Sequence, residues 1–287
     1  MSQIDLTWPD TNNELHVIIE GNNIQARSAN NMGPTRAMIL RSGDYTLPGN
    51  RNLKIFQAGS DLEYIPNACT DLEGNIYNAV RIGNITIMAD YLNVTKYVDG
   101  ENITYSSLFT TGGFNRPIRY PSSSVETLPS CYLYNQRTVV DAPGHGGLIT
   151  GWHIPTYDEL EEIRSTLTSN IAFSSDGSTS DSVARCVASK NGWNDQSGSL
   201  LGKNVYLNNI TGLNLMPYGG KNPESSPNVN PSFFSMIWSD TPDTNSEYAE
   251  GYYKNYYALR LGYTSDTIYF TSFVRECAFP IRLIKNN

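Results

Sequence analysis

The chain has 287 residues, enough for one large domain or two modest ones, each with a real core. Only 17% of residues are charged, 11% are aromatic, and Tyr alone contributes 19, a balance of β-rich, loop-rich chains that speaks against a helical bundle. The net charge of -8 argues against a phosphate-binding surface, since nucleic-acid affinity rests mainly on Lys and Arg, and no basic cluster offsets it.

Met1 to Asp10 lacks the basic start, apolar stretch and small-residue site of a signal peptide. No apolar run is long enough to span a membrane, so membrane insertion is not expected. Four cysteines, Cys69, Cys131, Cys186 and Cys277, are too few for a disulfide scaffold and lack metal-ligand spacing. No fixed-period repeat is present.

Residues 1–60 read as a small all-β unit. Glu14–Glu20 has strand composition, Gly21-Asn22-Asn23 turns, and Ile24–Arg27 returns. Ala37–Arg41 and Leu53–Phe56 read as further strands, punctuated by Ser42-Gly43-Asp44 and Pro48-Gly49-Asn50. About 60 residues make a marginal independent core, so this unit is expected to pack on the remainder or on a partner. Residues 61–287 form the second unit. There Asp71–Asn75 is a turn and Ile76–Ile82 alternates as a half-buried strand does. Gly83-Asn84 turns into Ile85–Ala89, and Lys96–Gly100 closes another turn.

The clearest helix begins after Gly151-Trp152-His153-Ile154-Pro155. Thr156 is a good N-cap and Glu159, three residues on, completes a capping box. Asp158, Glu159, Glu161 and Glu162 suit the positive end of the helix dipole, which makes a solvated face a better reading than a metal cluster. Leu160, Ile163 and Leu167 repeat at helical spacing, and Pro155 fixes where the helix starts. A second helix is predicted over Asp181–Lys190, with Val183, Cys186 and Val187 on one face and Gly192 ending it. Lys221–Pro227 reads as a loop and Phe233–Trp238 as a buried strand. Tyr256–Leu261 and Thr267–Phe270 read as hairpin arms around Gly262–Asp266.

Several of these blocks, in order, resemble the Fibrobacter succinogenes major paralogous domain. They are Gly74-Asn75-Ile76-Tyr77, Met88-Ala89-Asp90-Tyr91, Gly151-Trp152-His153-Ile154-Pro155-Thr156, Asn191-Gly192-Trp193-Asn194, Ile237-Trp238-Ser239-Asp240 and Phe279-Pro280-Ile281-Arg282-Leu283. The resemblance covers roughly residues 69–287. It implies an α+β, C-type-lectin-like fold: two helices, a twisted antiparallel sheet and long loops on one side. Trp152, Pro155, Thr156, Glu159, Trp193, Trp238 and Arg282 are then structural residues. The family commonly has Cys at the positions of Leu148 and Leu283, and an aromatic at Ile87. The resemblance implies that packing replaces a cross-link here.

The three histidines, His16, His145 and His153, sit in no nucleophile motif, so no catalytic residue is assigned and no cofactor is expected. Trp193-Asn194-Asp195 matches the calcium and sugar triplet of C-type lectins, but the companion Glu-Pro-Asn motif is missing. A turn after a helix accounts for it better, and no metal is assigned. The sequons at Asn84, Asn93, Asn102 and Asn209 matter only on a secretory route.

One stretch has the composition of a recognition surface: Tyr248, Tyr252, Tyr253, Asn255, Tyr256, Tyr257 and Tyr263. Tyr gives a large amphipathic contact area at low entropy cost. Packing of the sheet by alternate tyrosines is the competing reading. The expectation for the whole chain is a non-enzymatic virion structural or binding protein of a Bacteroidetes phage, in a head fibre, tail fibre or decoration. Residues 1–60 would bind other virion proteins and build a homo-oligomer, and the lectin-like unit would meet a host-surface glycan. The alternative is a carbohydrate-binding or adhesion module of a bacterial cell surface.

Overall fold

The structure is a computed structural model. It describes the backbone of strands within residues 15–55, and then residues 62–106, 117–121, 128–168, 183–203, 205, 208–209, 211–221, 231–245 and 254–286. The chain is α+β, with several antiparallel sheets and few helices.

The N-terminal part holds two hairpins. Strand β1 (Leu15–Glu20) pairs antiparallel with β2 (Asn23–Ser28), and β3 (Gly43–Leu47) pairs with β4 (Arg51–Ile55). Gly43 and Asp44, expected in a turn, lie in β3. The pairing runs from Gly43 with Ile55 to Leu47 with Arg51. Ala37–Arg41 lies outside the described residues.

The next strand, β5 (Leu62–Thr70), has no counterpart in the sequence reading. Pro66 and Asn67 interrupt its pattern, and a register shift between Ile65 and Cys69, with Asn67 at φ 52°, absorbs them as a bulge. Strand β5 is the edge of a five-stranded sheet that continues through β6 (Ile76–Ile82), β7 (Ile85–Met88), β16 (Ile284–Lys285) and β11 (Trp152–His153). The last strand of the chain therefore lies between β7 and the residues just before the main helix.

Strand β6 was expected to have one solvated face, but both faces meet a core. Val80 and Ile82 pack with Ile85 and Ile87 in one buried cluster. Tyr77 and Ala79 pack with Met88 and Trp238 in another. The alternation in the sequence separates two apolar environments.

A second sheet orders β15 (Ala278–Phe279), β10 (Tyr132–Asn135), β9 (Ile118–Pro121) and β8 (Thr104–Tyr105), with β8 and β9 parallel. A third has β13 (Asn255–Gly262) between β12 (Phe234–Pro242) and β14 (Tyr269–Val274). It too divides the cores: Ile237, Leu259 and Leu261 belong to the first cluster, and Met236, Trp238 and Ala258 to the second.

Three α-helices are present among the described residues, against two expected. The additional one, α1 (Gln136–Asp141), is capped by the Asn135 side chain, which accepts from Thr138 N–H, and a 3-10 turn (Ala142–His145) follows it. Helix α2 (Tyr157–Thr166) starts at Thr156 with both bonds of the capping box in place. Helix α3 spans Val183–Val187, shorter than Asp181–Lys190. Val183, Ala184, Cys186 and Val187 are all buried, so little of it faces solvent. Gly192 sits at φ +85°, a backbone conformation that favours glycine, and a Cβ there would push the Leu128 side chain aside.

Leu148 and Leu283 are buried in the same apolar cluster.

Candidate functional site

The α2 start is held from three directions. Glu159 Oε2 accepts from the Thr156 backbone N–H (2.8 Å) and lies 2.9 Å from Thr156 Oγ1. Glu159 Oε1 lies 2.8 Å from His153 Nε2, and His153 Nδ1 lies 2.7 Å from Asn286 Oδ1. The register of β12 on β13 shifts between Trp238 and Pro242. Asp240 N–H then donates to Pro155 C=O (2.9 Å), and Tyr157 N–H donates to Thr241 Oγ1 (2.9 Å). Desolvation first, and then the Glu159 charge, push the Asp240 carboxyl above the usual carboxylate range. This acidic first turn is thus engaged in capping and in binding His153.

Next to it is an aromatic shelf. Tyr157, the first residue of α2, has its ring 4.7 Å from Tyr257 of β13 and 4.8 Å from Phe270 of β14. All three are partly exposed. The Arg164 guanidinium lies 5.8 Å from the Phe270 ring centre, held there by Glu161 (Nε to Oε2, 2.8 Å). At the other side the Tyr257 hydroxyl donates to Asp243 Oδ1 (3.0 Å), which also accepts from Asn245 N–H (3.0 Å). That carboxylate raises the Tyr257 phenol above its ordinary range. The shelf therefore combines ring faces with a fixed carboxylate and a guanidinium.

The sequence-predicted tyrosines do not form one patch. Tyr256 and Tyr257 are neighbours on a strand and point to opposite faces. Tyr257 joins the shelf. Tyr256 packs on the cluster containing Trp238, with Lys254 Nζ 5.9 Å from its ring centre. Tyr263, beyond the far end of β13, stacks edge-to-face on Phe233 at 4.8 Å. Asn255 Oδ1 is buried and, among the described residues, has no hydrogen-bond partner. Tyr248, Tyr252 and Tyr253 lie outside the described residues. Tyr157, Phe270 and Asp243 were missed. Tyr157 could have been found, since it precedes Leu160 by three residues and so borders the buried stripe of α2.

Asn194-Asp195 forms a turn: Asn194 Oδ1 accepts from Gln196 N–H (2.9 Å), the Asn194 carbonyl accepts from Ser199 Oγ (2.6 Å), and Asp195 is exposed. Trp193 is buried beside it. Trp152 is buried in β11, and Trp238 is fully buried with its indole N–H donating to Tyr134 C=O (2.9 Å).

Arg282 is fully buried. One terminal nitrogen donates to the carbonyls of Met88 (3.0 Å), Ala89 and Leu213, the other to that of Asn214 (2.9 Å). Its guanidinium lies 3.9 Å from the Tyr91 ring centre. Among the described residues no carboxylate pairs with it. Four backbone dipoles and a ring face stabilise the charge.

Comparison with curated proteins and with solved structures finds no match. One family model does match, the Fibrobacter succinogenes major domain, over residues 80–285, from within β6 to the end of β16. That span holds the α2 frame, the aromatic shelf and Arg282, and it is well over half of the chain; the protein belongs to the Fibrobacter succinogenes major domain family.

Proposed function

We propose that this is a non-enzymatic recognition protein whose C-type-lectin-like domain binds a surface glycan on the Tyr157–Tyr257–Phe270 shelf. The observation that carries this reading is the shelf itself. Ring faces suit the apolar C–H faces of a pyranose, Arg164 at the border supplies a donor for hydroxyls, and the buried Asp243 holds the Tyr257 hydroxyl in place. Helices set against antiparallel sheets support the lectin-like class.

A glycan array with the intact protein tests it. Sugar-specific binding is expected. Tyr257→Ala is expected to weaken it at least about tenfold, since aromatic anchors dominate such contacts. Tyr263→Ala, at the other end of β13, leaves it unchanged. Binding that ignores Tyr257, or no binding to any glycan, sinks the proposal.

The proposed setting is a phage virion, with residues 1–60 as the attachment and oligomerisation unit. The hairpins β1–β2 and β3–β4, distinct in kind from the α+β unit, support it. The bacterial cell-surface setting is the competing reading. Mass spectrometry of purified virions decides between them: the protein present in stoichiometric amounts supports the first, and its recovery only from the bacterial envelope supports the second.

A further inference from the structure

Away from the shelf, two segments meet at a corner of the domain. One is the tight turn after β7. In it Tyr97 N–H donates to Glu101 C=O (2.9 Å), Gly100 N–H to Tyr97 C=O (3.0 Å) and Glu101 N–H to Asp99 Oδ1 (2.9 Å). The other is the 3-10 turn Ala142–His145, closed by Gly146 in the left-handed region at φ +75°. A backbone bond from Val98 N–H to Gly147 C=O (3.1 Å) joins the two.

Tyr97 anchors this corner. It is almost fully buried, and its hydroxyl donates to Thr138 C=O (3.2 Å). The His145 ring stacks on it at 4.4 Å, only 18° from parallel. Stacking fixes the imidazole plane and directs Nδ1 outward, where Asp99 Oδ2 stands at 2.7 Å and Glu101 Oε2 at 3.5 Å. The three atoms lie within 4.8 Å of one another.

An ion pair alone accounts for only half of this. A single Nδ1–H serves one acceptor, and Asp99 takes it. Glu101 Oε2 stands 3.5 Å from the same nitrogen, with no other protein donor among the described residues. The nearest arginine of α1, Arg137, is engaged by Asp141 (Nε to Oδ2, 2.8 Å). Two carboxylates therefore converge on one imidazole nitrogen, which gives an unbalanced negative site.

We propose that Asp99, Glu101 and His145 form a binding site for a divalent transition-metal ion, with zinc as the best fit. Zinc takes imidazole nitrogen and carboxylate oxygen at about 2.0–2.2 Å in tetrahedral geometry, which sets ligand atoms roughly 3.3 Å apart. The 2.7 and 3.5 Å separations bracket that value, and turns of exposed side chains suffice to reach it. Three protein ligands leave the fourth position to water or to a ligand atom from outside. The imidazole selects against calcium and magnesium, which prefer oxygen. Bound zinc ties the 96–102 turn to the 142–147 turn.

Isothermal titration of the chelator-treated, full-length protein with zinc chloride tests the site. One equivalent is expected to bind. His145→Ala and Glu101→Gln are each expected to lower affinity at least about tenfold, with calcium chloride far weaker in all forms. The side chains of Glu101 and Asp99 are 66% and 44% exposed, so Glu101→Gln keeps the metal-free melting temperature and reports binding alone. His153→Ala, at the α2 frame, is expected to bind zinc as wild type does. Absence of zinc binding, zinc affinity unchanged in both ligand variants, or calcium binding that matches zinc each overturns the proposal.

Discussion

Two regions of the domain hold polar groups in place by opposite means. At the start of α2, Thr156 and Glu159 satisfy each other across three residues. At the C-terminal end, Arg282 collects carbonyls from residues 68 to 194 positions away. The first arrangement fixes where a helix begins. The second fixes how β7, the 213–214 segment and the end of the chain sit together. Local polar networks set element boundaries at modest cost, whereas the long-range one specifies topology, and its loss orphans several partners at once.

The largest expected effect therefore belongs to Arg282→Leu. Four carbonyls lose the N–H groups they share, three of them on one nitrogen with two hydrogens, and each lost bond to a buried acceptor costs about 1 kcal/mol or more, so the variant loses about 3 kcal/mol or more. That is a large share of a typical domain's stability. Urea unfolding measures it. A loss under about 1 kcal/mol would mean that Arg282 is a passenger and would collapse the contrast. Arg282→Lys separates charge from geometry: a point cation lacks the planar fork and is expected to recover only part of the loss.

Trp238→Phe comes next. A phenyl ring still packs on Phe279 (4.5 Å) and Phe273 (6.4 Å) but fills less of the site than indole, and the Tyr134 carbonyl loses its indole donor. The expected cost is about 1–3 kcal/mol. A thermal melt at or above the wild-type temperature would count against the bond.

The same contrast governs what the sequence disclosed. The α2 cap, its buried Leu160, Ile163 and Leu167, the β13–β14 hairpin and the β1–β2 hairpin are short-range patterns, and each is legible in the residues. The family followed from ordered blocks, since it is written in residues such as Gly151-Trp152-His153 and Phe279-Pro280-Ile281-Arg282. Strand β5 was hidden because its bulge breaks the period of two at Pro66 and Asn67. Helix α1 was hidden because six residues show too little period, and its cap, Asn135, also ends a strand. The hairpin reading placed Tyr256–Leu261 in a strand yet said nothing about which face each ring takes. Only the pairing of β13 with its neighbours separates Tyr257 from Tyr256. The meeting of His145 with Asp99 and Glu101 spans more than 40 positions, and no local pattern carries it.

Smaller effects test the local side of the comparison. Thr156→Ala removes the N-cap hydroxyl from Glu159 N–H and is expected to cost about 1 kcal/mol. Circular dichroism melts of the variant measure this directly. A loss as large as that of Arg282→Leu would show that the α2 start is not a local device.

The smallest effect is one of sign. The Asp240 carboxyl is raised by desolvation and then by Glu159, so the folded state holds its proton more tightly than the unfolded chain does. Its favourable contribution is complete below the ordinary carboxylate pKa of about 4 and fades as pH rises through the folded value. Asp240 is exposed, so at neutral pH its charge beside Glu159 costs little. Asp240→Asn keeps an oxygen for Thr241 Oγ1, which donates at 3.1 Å, and removes the charge. The variant is expected to melt slightly above wild type at pH 7, and the gain should vanish by about pH 3, where Asp240 is protonated in both states. Paired scanning calorimetry at the two pH values measures it. A variant less stable than wild type at pH 7 would mean that the Asp240 charge supports the α2 frame, through His153, more than Glu159 opposes it.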